Sequence, residues 1–208
     1  MARPKVALLS RDVIARKAIE IVESGRDLQI VTLARELSVS PSSLYHHVEG
    51  RDGIIHAMRE SLSAEYAPPS VAGLPWREQV SVLINTLWRL YSDHPRTLQL
   101  LLTVIIEEPD TLELYGDMAA ALRLGGVPDD ELLVTIETLD AFAFGSALDA
   151  LSPESIFARN KLDPSLDALI DKHPTGKARN DQLFAHGVDL ILTSVELRAE
   201  RARIAADQ

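Results

Sequence analysis

The apolar residues of this chain recur three and four positions apart, and that spacing is interrupted only where proline and glycine gather. Such spacing makes amphipathic helices, and no stretch alternates apolar and polar residues long enough to form a half-buried strand. The fold class that follows is all-α. The breaks fall at 68–69, 73–75, 125–128, 152–153 and 174–176. The strongest is Pro68-Pro69-Ser70-Val71-Ala72-Gly73-Leu74-Pro75, because neither proline nor glycine sustains a helix. It predicts an N-terminal domain over 1–66 and a C-terminal domain over 67–208.

The first helix is expected from Arg11 to Ser24, with Ser10 as its N-cap, Asp12 near its positive end and Gly25 as its stop. Ile14, Ala18, Ile21 and Val22 form its apolar stripe. A second helix spans Val31 to Leu37 with Leu33, Ala34 and Leu37 inward. After a turn at Ser38-Val39, Ser40-Pro41 opens a very short third helix to His47, with a capping serine and a proline at the first helical position. Gly50 breaks the chain before a fourth helix, Arg51 to Glu65, whose stripe is Ile54, Ile55, Met58 and Leu62.

The second and third helices meet the demands of a helix-turn-helix. Ala34 is small where two helices cross, Ser38 permits a sharp bend, and Val39 plugs the gap behind it. Ser40, Ser42 and Ser43 lead the third helix with short polar groups, and Leu44 anchors it. Leu33 to Val48, with Arg51-Asp52-Gly53-Ile54-Ile55, resembles the DNA-binding region of the tetracycline-repressor (TetR) family. The run Val39-Ser40-Pro41-Ser42-Ser43-Leu44-Tyr45-His46-His47-Val48 is similar to that family's valine, polar residues and Leu-Tyr-x-His. The match covers about a quarter of the chain. Three segments of the second domain are similar to the branch nearest the tetracycline repressor: Trp76-Arg77-Glu78-Gln79, Phe142 to Leu148, and Phe184 to Leu192.

The resemblance implies an N-terminal three-helix DNA-binding domain and a C-terminal helical bundle that binds ligand and dimerises. It places Pro41, Ser42 and Ser43 at base edges, Tyr45 and His46 at backbone or base, and His47 and Arg51 at phosphate, with Ser40 and Thr32 as further contacts. The chemistry agrees, since hydroxyl, imidazole and guanidinium groups bond to bases and phosphates. One departure stands out: Ile30 and Val31 occupy positions where such proteins carry Thr or Arg. Each of these residues also has a plainer use, the serines as caps and the Tyr45 ring as packing. His46 and His47 point about 100° apart on a helix and do not share a metal ion.

In the second domain, helices are expected at 76–92, 98–106, 111–124, 129–151 and 181–203. The segment 98–106 is almost wholly apolar and reads as buried on most sides; Glu107-Glu108-Pro109-Asp110 reads as a solvated break. The helices at 129–151 and 181–203 mix small and large apolar groups, a composition that lets backbones approach closely. The resemblance implies that they pair with a second copy as a four-helix interface. A dimer suits a reading helix this short, since two copies read a palindrome. Trp88, Tyr91, His94, Leu98, Leu102, Tyr115, Met118 and Phe142 are the candidate walls of a ligand pocket, apolar with a few polar handles.

Bulk properties trim the alternatives. There is no cysteine, so disulfides and thiolate metal sites are excluded. Val6 to Leu9 is too short an apolar run for a signal peptide, and no stretch approaches a membrane span. A cytoplasmic protein with no membrane partner is expected. The net charge of −10 lies entirely beyond residue 66, since residues 1–66 hold nine Lys/Arg against nine Asp/Glu. A neutral module still binds DNA when its cations share a face. Catalysis would need Glu107, Glu108 and Asp110, or Glu137 with Asp140 and His186. With no phosphate loop, zinc motif or serine elbow, neither an enzyme nor a resident cofactor or metal is expected. The reading is a TetR-type repressor that binds a palindromic double-stranded operator as a homodimer and is released by a small-molecule inducer, ligand favouring a head spacing that mismatches successive grooves. The main rival is a helical protein-interaction module.

Overall fold

A computed structural model describes residues 9–158 and 163–206. The first eight residues, where no signal sequence is expected, lie outside the described residues. The described residues form helices and turns and contain no strand, as the periodicity requires. In chain order the helices are α1 (Arg11–Glu23), α2 (Ile30–Glu36), α3 (Pro41–Tyr45), α4 (Gly50–Glu65), α5 (Trp76–Asp93), α6 (Pro95–Leu101), α7 (Pro109–Leu124), α8 (Asp129–Leu148), α9 (Pro164–Ile170) and α10 (Gly176–Ala206), with a 3₁₀ turn at Asp149–Leu151 after α8. None of the helices is long and apolar enough to cross a membrane among the described residues.

The chain divides into two compact units, 1–67 with 96–113, and 68–95 with 114–208. It leaves the first unit at the proline-rich junction, re-enters it at 95/96, and leaves again at 113/114.

In the first unit, α1 packs on α4. Ile14, Ile21, Leu33, Leu44, Ile54, Ile55, Met58 and Leu62 are fully buried, each contributing about 1.5–3 kcal/mol relative to exposure. Ser10 caps α1 by accepting from the Val13 N–H at 3.2 Å. Gly25 ends the helix at φ +82°, a left-handed conformation that suits glycine.

The segment 98–106 departs from expectation. The helix stops at Leu101, and Leu102 and Ile105 are exposed, Ile105 at 76%. The cause is Arg59 of α4. Its guanidinium donates to the Leu101, Val104 and Ile105 carbonyls at 2.6, 3.2 and 2.8 Å, taking acceptors that a continuing helix would use. The β-branched run Thr103-Val104-Ile105-Ile106 favours the break. Glu108 is likewise buried, not solvated. Its carboxylate accepts from Arg59 at 2.9 Å and pairs with His56 Nδ1 at 2.8 Å. Burial alone would raise its pKa, but the bonds from Arg59 and His56 outweigh it and hold the carboxyl below its usual range.

In the second unit, α8 packs against α5 and α10. Val80, Leu83, Ile84, Leu139, Ala143, Ala147 and Leu192 are buried at its centre. The small residues act partly within the chain: a Cβ at Gly187 would lie 2.1 Å from the Phe142 ring, so glycine is what lets α10 meet α8 here. α10 begins earlier and ends later than expected, and α9 was not expected at all. Asp163 caps α9, its carboxylate accepting from the Ser165 and Leu166 N–H groups, with Pro164 in the first turn. One face of α10 stays exposed and apolar: Leu183, Leu190, Leu197 and Ile204, seven residues apart, all lie on it. On α8, Leu133 and Val134 are exposed as well.

Candidate functional site

The helix-turn-helix is built locally. Ser38 is the one non-glycine with positive φ among the described residues, at +57°. The left-handed step turns the chain sharply after α2, and the Val39 N–H returns to the Ala34 carbonyl at 2.9 Å. Ser40 then caps α3: its hydroxyl accepts from the Ser43 N–H at 3.2 Å and shares hydrogen bonds of 2.8 Å with both the Ser42 and Ser43 hydroxyls. Pro41 fills the first helical position, where an N–H would have no partner. Leu44 and Val48 are buried and fix the helix from behind.

This arrangement turns the expected DNA contacts outward. Pro41, Ser42, Tyr45, His46, His47 and Arg51 are exposed, Ser40 is exposed while engaged as the cap, and Ser43 and Thr32 are half-buried. Tyr45 is 55% exposed and Val31, on the first turn of α2, 70%. Of the cations nearby, Arg26 is tied to Glu36 at 2.8 Å, a pair that holds the Glu36 carboxyl below its usual range.

The expected pocket residues do not converge on one place. In the second unit a cavity of about 550 Å³ lies between α5 and α10. Trp88, Phe184, Val188 and Leu192 form its apolar side and Ser81 and Asn85 a polar one. Trp88 and Phe184 stack at 4.4 Å and 8°, and the Lys177 ammonium sits 5.8 Å from the Trp88 ring. The Trp88 Nε1–H finds no acceptor among the described residues. Arg77 donates to Asp189 at 2.7 Å, Thr193 at 3.0 Å and Glu196 at 2.9 Å, fixing the α5–α10 distance.

Of the eight residues named from the sequence, Trp88 alone is among those lining that cavity. Phe142 stands behind it, its ring 6.1 Å from Phe184. Tyr91 and Tyr115 meet elsewhere, on Asp140 of α8: the Tyr115 hydroxyl donates at 2.6 Å and the Tyr91 hydroxyl at a long 3.4 Å. Burial pushes the Asp140 carboxyl up to about 6, against the pull of the two hydroxyls. Met118 is sealed in the core, His94 ends α5, Leu98 is buried in the first unit, and Leu102 is exposed at 53%. Arg77 and Phe184, which line the cavity, were not named as pocket candidates, and Asp140 was named only as a possible catalytic group. Phe184 and Arg77 stood in the segments that carried the resemblance, and only their packing shows their place. Glu137 and His186 are exposed. Among the described residues no group of three or more His, Asp or Glu side chains is placed to hold a metal ion.

No family model matches the chain. It is similar to an HTH-type transcriptional regulator of Saccharopolyspora erythraea, 27% identical over 152 residues, covering 72% of this chain and 63% of the relative. It is also similar to the HTH-type transcriptional repressor DrrR1 of Streptomyces coeruleorubidus, 27% identical over 161 residues, covering 76% of this chain and 60% of that one. The chain thus spans less than two thirds of the length of these two relatives. Among solved structures, the TetR family protein ActR of Streptomyces coelicolor in complex with actinorhodin superposes with a TM-score of 0.74 at 23% identity, over 93% of this chain and 99% of ActR. The chain has the TetR-family fold. BioQ with its double-stranded DNA operator shares this TetR fold at a TM-score of 0.66 and 20% identity, over 90% of this chain and 98% of BioQ.

Proposed function

We propose that this chain is a ligand-responsive transcriptional repressor of the TetR type, acting in the cytoplasm, that binds a palindromic operator as a homodimer and is released by a small molecule. One observation carries the reading: the Ser38 turn and the Ser40 cap hold a five-residue helix outward, with Pro41, Ser42, Tyr45 and His46 exposed on it. In a helix-turn-helix that is the element which enters the major groove. Thr32, Ser40, Ser43, His47 and Arg51 complete the proposed contact set. Support comes from the relative named as a repressor and from the DNA-bound and ligand-bound neighbours of the same fold.

The proposal assigns DNA reading to 1–66, and ligand binding and dimerisation to 67–208. The leucines exposed every seventh residue along α10, beside Leu133 and Val134 of α8, are the proposed dimer face. The cavity between α5 and α10 and the Tyr91–Tyr115–Asp140 cluster are the two proposed places for ligand groups. Inducer acts by population shift, favouring a separation of the two reading heads that mismatches successive grooves.

The test is fluorescence anisotropy with a duplex selected from a random pool, together with sedimentation of the protein alone. A dimer whose affinity falls steeply between 50 and 200 mM salt, as phosphate neutralisation requires, is the expected result. Leu190→Glu with Leu197→Glu should give a monomer with much weaker operator binding. A wild-type monomer with no preferred duplex would end the proposal.

A further inference from the structure

The reading helix lacks a whole class of side chain. From Leu37 to Gly50 there is no Lys, Arg, Asn or Gln. Those are the side chains that fix a guanine or an adenine through two hydrogen bonds in the major groove, worth about 5- to 150-fold per base pair. The exposed groups of α3 are of another kind. Pro41 presents a saturated ring at the leading end and Tyr45 an aromatic ring at 55% exposure. The Ser42 and Ser43 hydroxyls are both bonded to Ser40, and in each of those bonds either oxygen can be the donor. Such hydroxyls accept from one base as readily as they donate to another. His46 offers one bond at a time. On α2, Val31 has nothing to donate or accept at 70% exposure.

Apolar rings in a major groove have one specific partner, the 5-methyl group of thymine. We infer that α3 reads each operator half-site chiefly through thymine methyl groups against Pro41 and Tyr45 and through groove shape, with no guanine or adenine fixed by a bidentate side chain of this helix. This rests on the DNA-reading proposal and names the class of sequence that it takes. Positions without a contact are then constrained by the deformability of the duplex.

The test uses the full chain and a duplex selected from a random pool. Each thymine of the half-site is replaced in turn by deoxyuridine, which removes the methyl and leaves every hydrogen-bonding atom. Affinity at fixed salt should fall about fourfold at each contacted thymine, the worth of one buried methyl. In Pro41→Ala, whose melting temperature is checked against wild type, the loss at one of those thymines should vanish. Deoxyuridine at every thymine changing affinity by less than twofold overturns the inference while leaving DNA reading intact. So does a half-site held by an invariant guanine that no mutation outside α3 releases. If no duplex is selected at all, the DNA-reading proposal itself fails, and this inference with it.

Discussion

Replacing Asp140 by asparagine should stabilise the protein, and only above a defined pH. The carboxyl lies among α5, α7 and α8, with the Tyr115 and Tyr91 hydroxyls on its two oxygens. Burial raises it from 3.8 to about 6. Because the folded state holds the proton more tightly than the unfolded chain, the stability it confers is present at low pH and is lost as pH rises through the folded value. The gap between 3.8 and about 6, at about 1.4 kcal/mol per pH unit, is about 3 kcal/mol in full. Asparagine keeps an acceptor for Tyr115 and cannot ionise. Urea unfolding of both proteins, followed by circular dichroism at pH 4.5, 6 and 8, isolates this group, because every other titration is common to the pair. The advantage of Asp140→Asn should grow by about 2 kcal/mol from pH 4.5 to pH 8. An advantage that does not change with pH, or a variant less stable than wild type at pH 8, would refute the reasoning.

Four further outcomes follow from the packing. Glu108→Gln leaves the buried Arg59 guanidinium without its counter-charge; stability at neutral pH should drop by about 3 kcal/mol, read as a lower urea midpoint at unchanged slope, and a drop under about 1 kcal/mol would contradict the role given to the pair. The same carboxylate is held below its usual range, so its share of wild-type stability should be lost as pH falls and Glu108 protonates. Gly187→Ala places a Cβ 2.1 Å from the Phe142 ring; overpacking of about 1–3 kcal/mol should exceed the gain in helix propensity of about 1 kcal/mol, and a higher melting temperature would show the ring gives way freely. Ser40→Ala removes the α3 cap and should cost about 1 kcal/mol in chemical denaturation with little change in helix content.

The helix-turn-helix was legible because its determinants are local. Ser10, Gly25, Ser38 and Ser40 act through bonds to residues at most five positions away and Pro41 through its own ring, and each stands in the structure with the role that its chemistry suggests. The same kind of signal was present and unused at α9, where Asp163-Pro164 forms a cap as clear as Ser40-Pro41. What failed was the reading of the apolar run after His94. Its periodicity allowed a buried helix, and within the run only the β-branched Thr103-Val104-Ile105-Ile106 leans the other way. The deciding group is Arg59, more than forty residues earlier, which takes three of its carbonyls and draws in Glu108.

The candidate pocket residues are scattered for a related reason. A helix stripe tells which residues turn inward, not which inward residues leave space between them. Met118 and Leu98 turn inward and are filled over, whereas Trp88 turns inward beside Phe184 at the edge of a cavity. The aromatic residues named from the sequence are buried or half-buried, yet they serve three different ends: a cavity wall at Trp88, its backing at Phe142, and hydroxyl partners for a carboxylate at Tyr91 and Tyr115. Asp140 escaped notice as a binding group because an acid on a domain of negative charge ordinarily faces water. Two tyrosines on separate helices, Tyr91 of α5 and Tyr115 of α7, make it an exception, and only packing brings them to it.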